Sequence, residues 1–359
     1  ASCSLEEDTS SFSTPDNFYQ TKEQCLSALN SCYIPLNGTY NYTLFIATEA
    51  CTDIMYINSG TLDSRLDISP AKPRHGETVW NNGYKGVMYC NAAINGIENS
   101  PLEENEKLPL LGEGKIMRAF YYYLLTSFFG DVPFYTEPPT SDQYEVEKTS
   151  RVKILDFIIN ECNEATEYLD WIAMDRGRVD KSFAYGLINR MALLGGSLDF
   201  GGKSTEYFKI AAEAASKVIG KRLLALNYED LFVVEGQAKA DVRNEMILEM
   251  IYNVDGTNVH RNWTGFGFVS RMQGQTSRHP SMLLADTYEC IDGKRIDESP
   301  LYDVHHPQKN RDPRFKATLW MHGDTATCNN GSLNTVIINA YDDETQQYNY
   351  TTGEWEVRN

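Results

Sequence analysis

Apolar residues recur with the 3.6-residue period of helices through most of the chain up to about residue 219. Thr21 and Gln24 form a capping-box pattern ahead of Cys25-Leu26-Ser27-Ala28-Leu29, which predicts a helix to about Tyr33. A second helix is expected over about Thr43–Met55. A third runs from about Val79 to Ile97, with Tyr84, Val87, Ala92 and Ile94 on its apolar side. The strongest helical pattern is Glu113–Phe129, stopped by Gly130 in a left-handed conformation and followed by extended Val132–Tyr135. Further helices are predicted over Thr149–Ile172, Lys181–Leu198 and Thr205–Ile219.

These helices come in pairs whose first members start about 68 residues apart, twice the roughly 34-residue tetratricopeptide period. The expected fold is therefore mostly α, a superhelix of helical hairpins with an insertion at Pro133–Lys148. Residues 1–20 are polar and read as a tether and lead-in loop. Residues 21–359 read as one domain, with its helical scaffold mainly over 80–220 and a loop-rich, partly β lobe over 221–359. In that lobe Glu245–Tyr252 reads as a strand and Ser281–Tyr288 as a helix. Strands follow Arg314, with a turn at Thr352-Gly353.

Composition narrows the function. A net charge of −18 excludes the basic footprint of a nucleic-acid binder and of a polybasic membrane contact. A neutral or cationic ligand suits it better. No apolar run reaches 18 residues, so no segment reads as membrane-spanning. The eight cysteines include no C-x-x-C pair, and Cys25 and Cys32 lie too far apart on one helix to bridge. Tyrosine is abundant, 22 residues against 15 Phe and 5 Trp, and it suits wet binding surfaces as well as cores.

No catalytic motif survives inspection. Ser197–Ser204 departs from a P-loop at its first position and follows a helix where that motif needs a strand. The sequence holds no H-E-x-x-H, G-x-S-x-G or G-x-G-x-x-G. His305-His306 lacks further ligands at metal spacing and reads as a solvated pair. No catalytic residue, metal or cofactor is assigned. Sequons at Asn37, Asn41, Asn262, Asn330 and Asn349 bear only on a eukaryotic secreted protein.

The segment from Gly112 through Arg118-Ala-Phe-Tyr-Tyr-Tyr to Phe129-Gly-Asp-Val-Pro133 and on to Pro138 resembles the signature of the SusD/RagB family. Asn17–Tyr33, Trp80–Ile94, Ala184–Gly195, Tyr228–Phe232, Asn244–Leu248, Pro280–Tyr288, Asp292-Gly293-Lys294 and Asn310–Arg314 are similar to other family stretches in the same order. Within the signature, Ile116, Ala119, Phe120, Tyr123 and Leu124 follow helical spacing, and Arg118 is expected to pair with an acid. The most diagnostic residues are thus scaffold. Family members continue into two more helical repeats with an Arg-Tyr-Ala-Glu-like helix that this chain lacks, which implies a fragment of a longer protein.

The resemblance implies a non-catalytic surface protein that captures oligosaccharides or polysaccharides for a TonB-dependent, SusC-like outer-membrane transporter. Ala1-Ser2-Cys3 looks like the end of a bacterial lipobox, and Glu6-Glu7-Asp8 resembles the surface-export signal of Bacteroidetes lipoproteins. Lipid on Cys3 would then hold the chain at the outer face of the outer membrane. A sugar ring offers an apolar face to an aromatic plate and a rim of hydroxyls to polar side chains. Two loops carry both. One is Tyr56–Trp80, with Tyr56, Asn58, Arg65, Arg74, His75 and Trp80. The other is His260–Arg278, with Trp263, Phe266, Phe268, Arg271, Gln273 and Gln275, of which Trp263 is the expected main platform. The competing readings are a helical scaffold or adhesin subunit without a glycan ligand and, more remotely, a glycoside hydrolase.

Overall fold

In the computed structural model the described residues are 18–40, 52–57, 75–140, 146–251, 278–329, 333–337, 345–349 and 352–358. Two compact units emerge from the chain. The first comprises residues 1–43, 73–224 and 240–252, the second residues 44–72, 225–239 and 253–359.

The first unit is a run of helices: α1 (Lys22–Tyr40), α2 (His75–Glu98), α3 (Glu104–Phe129), α4 (Arg151–Thr166), α5 (Lys181–Ser197) and α6 (Ser204–Val218). Each packs on the next in sequence, as stacked hairpins require. The capping box is present: Gln24 donates its N–H to Thr21 Oγ1 at 3.3 Å, and its side chain accepts from the Thr21 N–H at 3.0 Å. Cys25, Leu29, Cys32 and Leu36 then form the buried stripe of α1, both cysteines as unpaired thiols. Gly86 of α2 leaves room for the fully buried Tyr121 ring of α3. The phenol reaches past it and donates to the Cys32 carbonyl of α1 at 2.6 Å, so one side chain ties three helices.

Several expectations need correction. Helix α3 begins nine residues before Glu113 and tolerates Pro109 close to its start. In α2 it is Ala93 that is buried, and Ala92 faces out. Gly130 does end α3, with its N–H on the Thr126 carbonyl at 3.1 Å, but at φ 73° and ψ −122° it is not left-handed helical. Helix α4 stops at Thr166 instead of Ile172. The Thr43–Met55 helix falls mostly outside the described residues, and its end is bend and strand. No strand forms over Glu245–Ile251. A short helix α7 (Ala240–Glu245) ends there, and the Arg222 guanidinium takes the Asn244 and Met246 carbonyls at 3.3 and 3.4 Å. The Asn244 side chain accepts from the Leu223 N–H at 2.6 Å. Within the expected strand, the Met246 carbonyl is thus taken by a side chain and the Met246 N–H by the Val242 carbonyl of α7, so neither is free for a ladder.

The second unit begins with a ribbon, β1 (Met55–Ile57) antiparallel to β2 (Arg278–Pro280). Ser281 caps α8 (Met282–Thr287), and Asp312 with Pro313 opens α9 (Pro313–Thr318). Ala285, Phe315 and Leu319 form a small core. Arg311 is buried beside it. It donates to the Tyr288 and Pro307 carbonyls and lies 4.5 Å from the centre of the Phe315 ring. Strands β3 (Thr325–Asn329), β4 (Leu333–Ile337), β5 (Thr345–Asn349) and β6 (Glu354–Arg358) make an antiparallel meander, with Thr352-Gly353 turning between the last two.

Candidate functional site

Most buried polar groups of the first unit are structural. Arg118 forms a buried ion pair with Glu161 and donates to Asn91 at 2.8 Å. Asn91 in turn donates to the Tyr135 and Glu137 carbonyls at 3.1 and 3.0 Å, and Tyr84 donates to the Pro133 carbonyl at 2.8 Å. The Pro133, Tyr135 and Glu137 carbonyls are thereby taken by helix side chains, and the Val132 carbonyl accepts the Thr149 N–H at 2.9 Å. A second buried network joins Tyr33, Glu113 and Arg178. The Tyr33 phenol donates to Glu113 at 2.7 Å, and Arg178 lies 3.0 Å from the same carboxylate. Burial pushes the Glu113 and Glu161 carboxyls above their ordinary range, against the pull of their arginines. The Arg118 network faces inward, with both partners of its ion pair buried.

The ribbon bears more directly on ligand contact. Its register pairs Tyr56 with His279 and Ile57 with Arg278. Residues 58–74 leave from one side of that last pair, and residues 252–277 arrive at the other. Paired residues of an antiparallel ladder lie about 4.5–5.5 Å apart. Ile57 and Arg278, widely separated in sequence, are therefore brought together at one place. Ser281 extends the tie, donating its N–H to the Ile54 carbonyl at 2.9 Å and its hydroxyl to the Asp53 carbonyl.

Of the expected site residues, Tyr56 sits at the centre of β1 and His75 opens α2. Trp80 is half-buried on the scaffold, its ring 4.9 Å from Tyr84 and edge-on to Phe129 at 5.0 Å. Asn58, Arg65, Arg74, Trp263, Phe266, Phe268, Arg271, Gln273 and Gln275 lie outside the described residues, as does Cys3. Among the described residues no group of three His, Cys, Asp or Glu could hold a metal ion. No helix there is long and apolar enough to cross a membrane.

The sequence reading missed one concave surface, which lies wholly in the second unit. A cleft of about 440 Å³ is lined by Tyr228, Glu229, Lys316, Trp320, Asp324 and their neighbours. Trp320 is 44% exposed and Tyr228 37%. The usable sign was alternation. Leu319 is extended and buried, so the next side chain points the other way.

Comparison with known proteins covers nearly the whole chain. Residues 6–193 match the family model described as "Starch-binding associating with outer membrane", and residues 244–358 match the model of the SusD family. The starch-binding protein SusD of Bacteroides thetaiotaomicron is 30% identical over 195 residues, 53% of this chain and 33% of that protein. SusD-like protein P2 of Formosa agariphila is 23% identical over 70% of this chain and 47% of its own length. The chain thus spans half or less of these curated relatives. Among solved structures, a SusD-like carbohydrate-binding protein of Bacteroides fragilis superposes with a TM-score of 0.72 at 24% identity, covering 86% of this chain and 61% of that one. A laminarin-binding SusD-like protein gives 0.55 at 22% identity over 70% and 54%.

Proposed function

The chain belongs to the SusD family, and on that premise we propose that it captures oligosaccharides or polysaccharides at the cell surface without cleaving them. The observation that carries this reading is the β1–β2 ribbon. It joins, at the Ile57–Arg278 pair, the two loops in which aromatic and hydrogen-bonding side chains are interleaved. In this reading Trp263, Phe266 and Phe268 cover sugar faces. Arg271, Gln273, Gln275, Asn58 and Arg65 satisfy hydroxyls, with Tyr56 in the strand that precedes Asn58.

Weak binding is expected. A stacked ring that removes about 100 Å² of apolar surface from water gives about 2.5 kcal/mol at ~25 cal/mol/Å². Two such plates reach only about millimolar affinity once association costs are met. Long chains that touch several sites would gain from effective concentration. Delivery follows from the same premise. A non-catalytic binder tethered through lipid on Cys3 at the outer membrane needs a TonB-dependent, SusC-like transporter to move its ligand inward.

Retention of the chain on a panel of immobilised neutral polysaccharides, with product analysis for cleavage, tests the reading. Retention without cleavage is expected. Trp263→Ala should weaken the retained glycan by about 1–3 kcal/mol, as for stacking on other rings, with an unaltered melting temperature. Cleavage would indicate a hydrolase, and no retention by any glycan would favour a scaffold or adhesin. Co-purification under mild detergent should bring down a large β-barrel.

A further inference from the structure

We propose that the cleft between Tyr228 and Trp320 is a second saccharide-contacting site, separate from the ribbon loops and built for a neutral oligosaccharide. The ligand class rests on the glycan-capture reading, whereas the location rests on the cleft alone. Its volume of about 440 Å³ falls within the roughly 300–1,000 Å³ of ligand-sized pockets.

Both aromatic groups are held from behind. Leu319, in extended conformation, is buried against the Ala285 and Phe315 core, which directs the adjacent Trp320 outward. After it, the Asp324 carboxylate accepts the Met321 N–H at 2.7 Å, and the Asp324 N–H returns to the Met321 carbonyl at 3.0 Å. The chain on the far side of Trp320 is thus closed into a turn. Tyr228 opens a 3-10 turn (Tyr228–Leu231) whose cap is Asn227, and its ring lies 5.0 Å from that of Phe232. Asp230 of this turn is buried and pairs with Lys239 at 2.6 Å. The backbone of Gly236 packs so closely on Asp230 that a Cβ there would overlap its carbonyl group. These fixed frames lower the ordering cost of binding.

The polar lining matches a hydroxyl rim. Lys316 of α9 and Glu229 of the 3-10 turn line the cleft from two different elements and bring one ammonium and one carboxylate to it. Asp324 and Thr325 add acceptors and a hydroxyl. Two carboxylates against one ammonium disfavour a polyanionic glycan, and so many polar groups disfavour a purely apolar ligand.

The test labels the 359-residue chain with 5-fluorotryptophan and assigns its five tryptophan resonances by single Trp→Phe substitutions. Neutral malto-, laminari-, xylo- and manno-hexasaccharides and one uronic-acid hexasaccharide are titrated into the otherwise unaltered protein. The expected result is that the Trp320 resonance moves with at least one neutral hexasaccharide at millimolar concentration, and still moves in Trp263→Ala. Trp320→Ala should weaken that glycan at least about fivefold, in line with stacking on other rings. A silent Trp320 beside a responsive Trp263 would overturn the second site and leave the loop site standing. Response to the uronic-acid probe alone would overturn the assignment to neutral sugars. Silence of every resonance with every glycan would overturn both.

Discussion

Removing the Arg118 side chain would strand Glu161 as an uncompensated buried carboxylate and leave Asn91 without its donor. Breaking one partner of such a pair costs about 3–5 kcal/mol. Arg118→Met should therefore lower unfolding free energy in urea by that amount. The double variant Arg118→Met/Glu161→Met should recover part of the loss, because no buried charge remains. A single-variant loss under about 1 kcal/mol would contradict the burial of the pair. The Glu113 carboxyl makes a pH-dependent claim. Burial raises its folded pKa above the ordinary 4.5. As pH rises, the unfolded chain gives up this proton first. The group's contribution to stability is thus fully present below 4.5 and is lost as pH rises through the higher folded value. Glu113→Gln carries no titrating proton. The stability of wild type relative to this variant should therefore fall as pH rises from the ordinary carboxylate range toward neutrality, read as the difference between two melting curves. A constant difference would contradict the raised value. The pairing of Arg118 with an acid was legible because an arginine on the apolar side of a helix needs one. Its partner was not, since Glu161 is one of 50 acids.

At the scale of elements, most helices and the late strands β3–β6 were readable, and the three-residue strands were not. The stripe Cys25, Leu29, Cys32 and Leu36 repeats at helical spacing, so α1 announces itself locally. Strands β1 and β2 have three residues each, too few to display a period of two, and their pairing is long-range. The region after Ala240 misled for a related reason. Met246-Ile247-Leu248 looks strand-like, yet Arg222 already holds the Met246 carbonyl, and the Met246 N–H is turned back onto the Val242 carbonyl of α7. Trp320 stayed unseen because its outward direction depends on the burial of Leu319 in a core assembled from distant segments. Ser281 connects two of these elements. Its hydroxyl accepts the Leu284 N–H at 3.1 Å as the cap of α8 and donates to the Asp53 carbonyl beside β1. Ser281→Ala should cost about 1 kcal/mol through the lost cap, and more if the tie to β1 contributes. Denaturation of Ser281→Gly, which retains much of the capping preference but not the tie, separates the two. Equal stability of Ser281→Ala and wild type would rule out both roles.

At the scale of the whole molecule, acidity and ligand choice are linked. A chain of net charge −18 that binds neutral sugars should do so almost independently of salt, because no counterions are displaced. Raising sodium chloride from about 0.05 to 0.5 M should change glycan affinity less than about twofold, measured by affinity electrophoresis. A steep dependence would identify a charged ligand. The division into two units was only partly visible in the sequence. The turn to loops and strands after Leu231 is a change in composition, but residues 44–72 belong with that later part and carry no mark of it. The ribbon makes this membership a matter of time as well as space. Asp53 and Ser281 stand 228 positions apart, and a ribosome adds roughly 5–20 residues per second, so β1 exists for on the order of 10–50 s before its partner has been made. Through that interval the segment that becomes β1 is without its partner β2, an unclaimed edge. A nascent chain of this kind would benefit from a holding chaperone until residue 281 emerges.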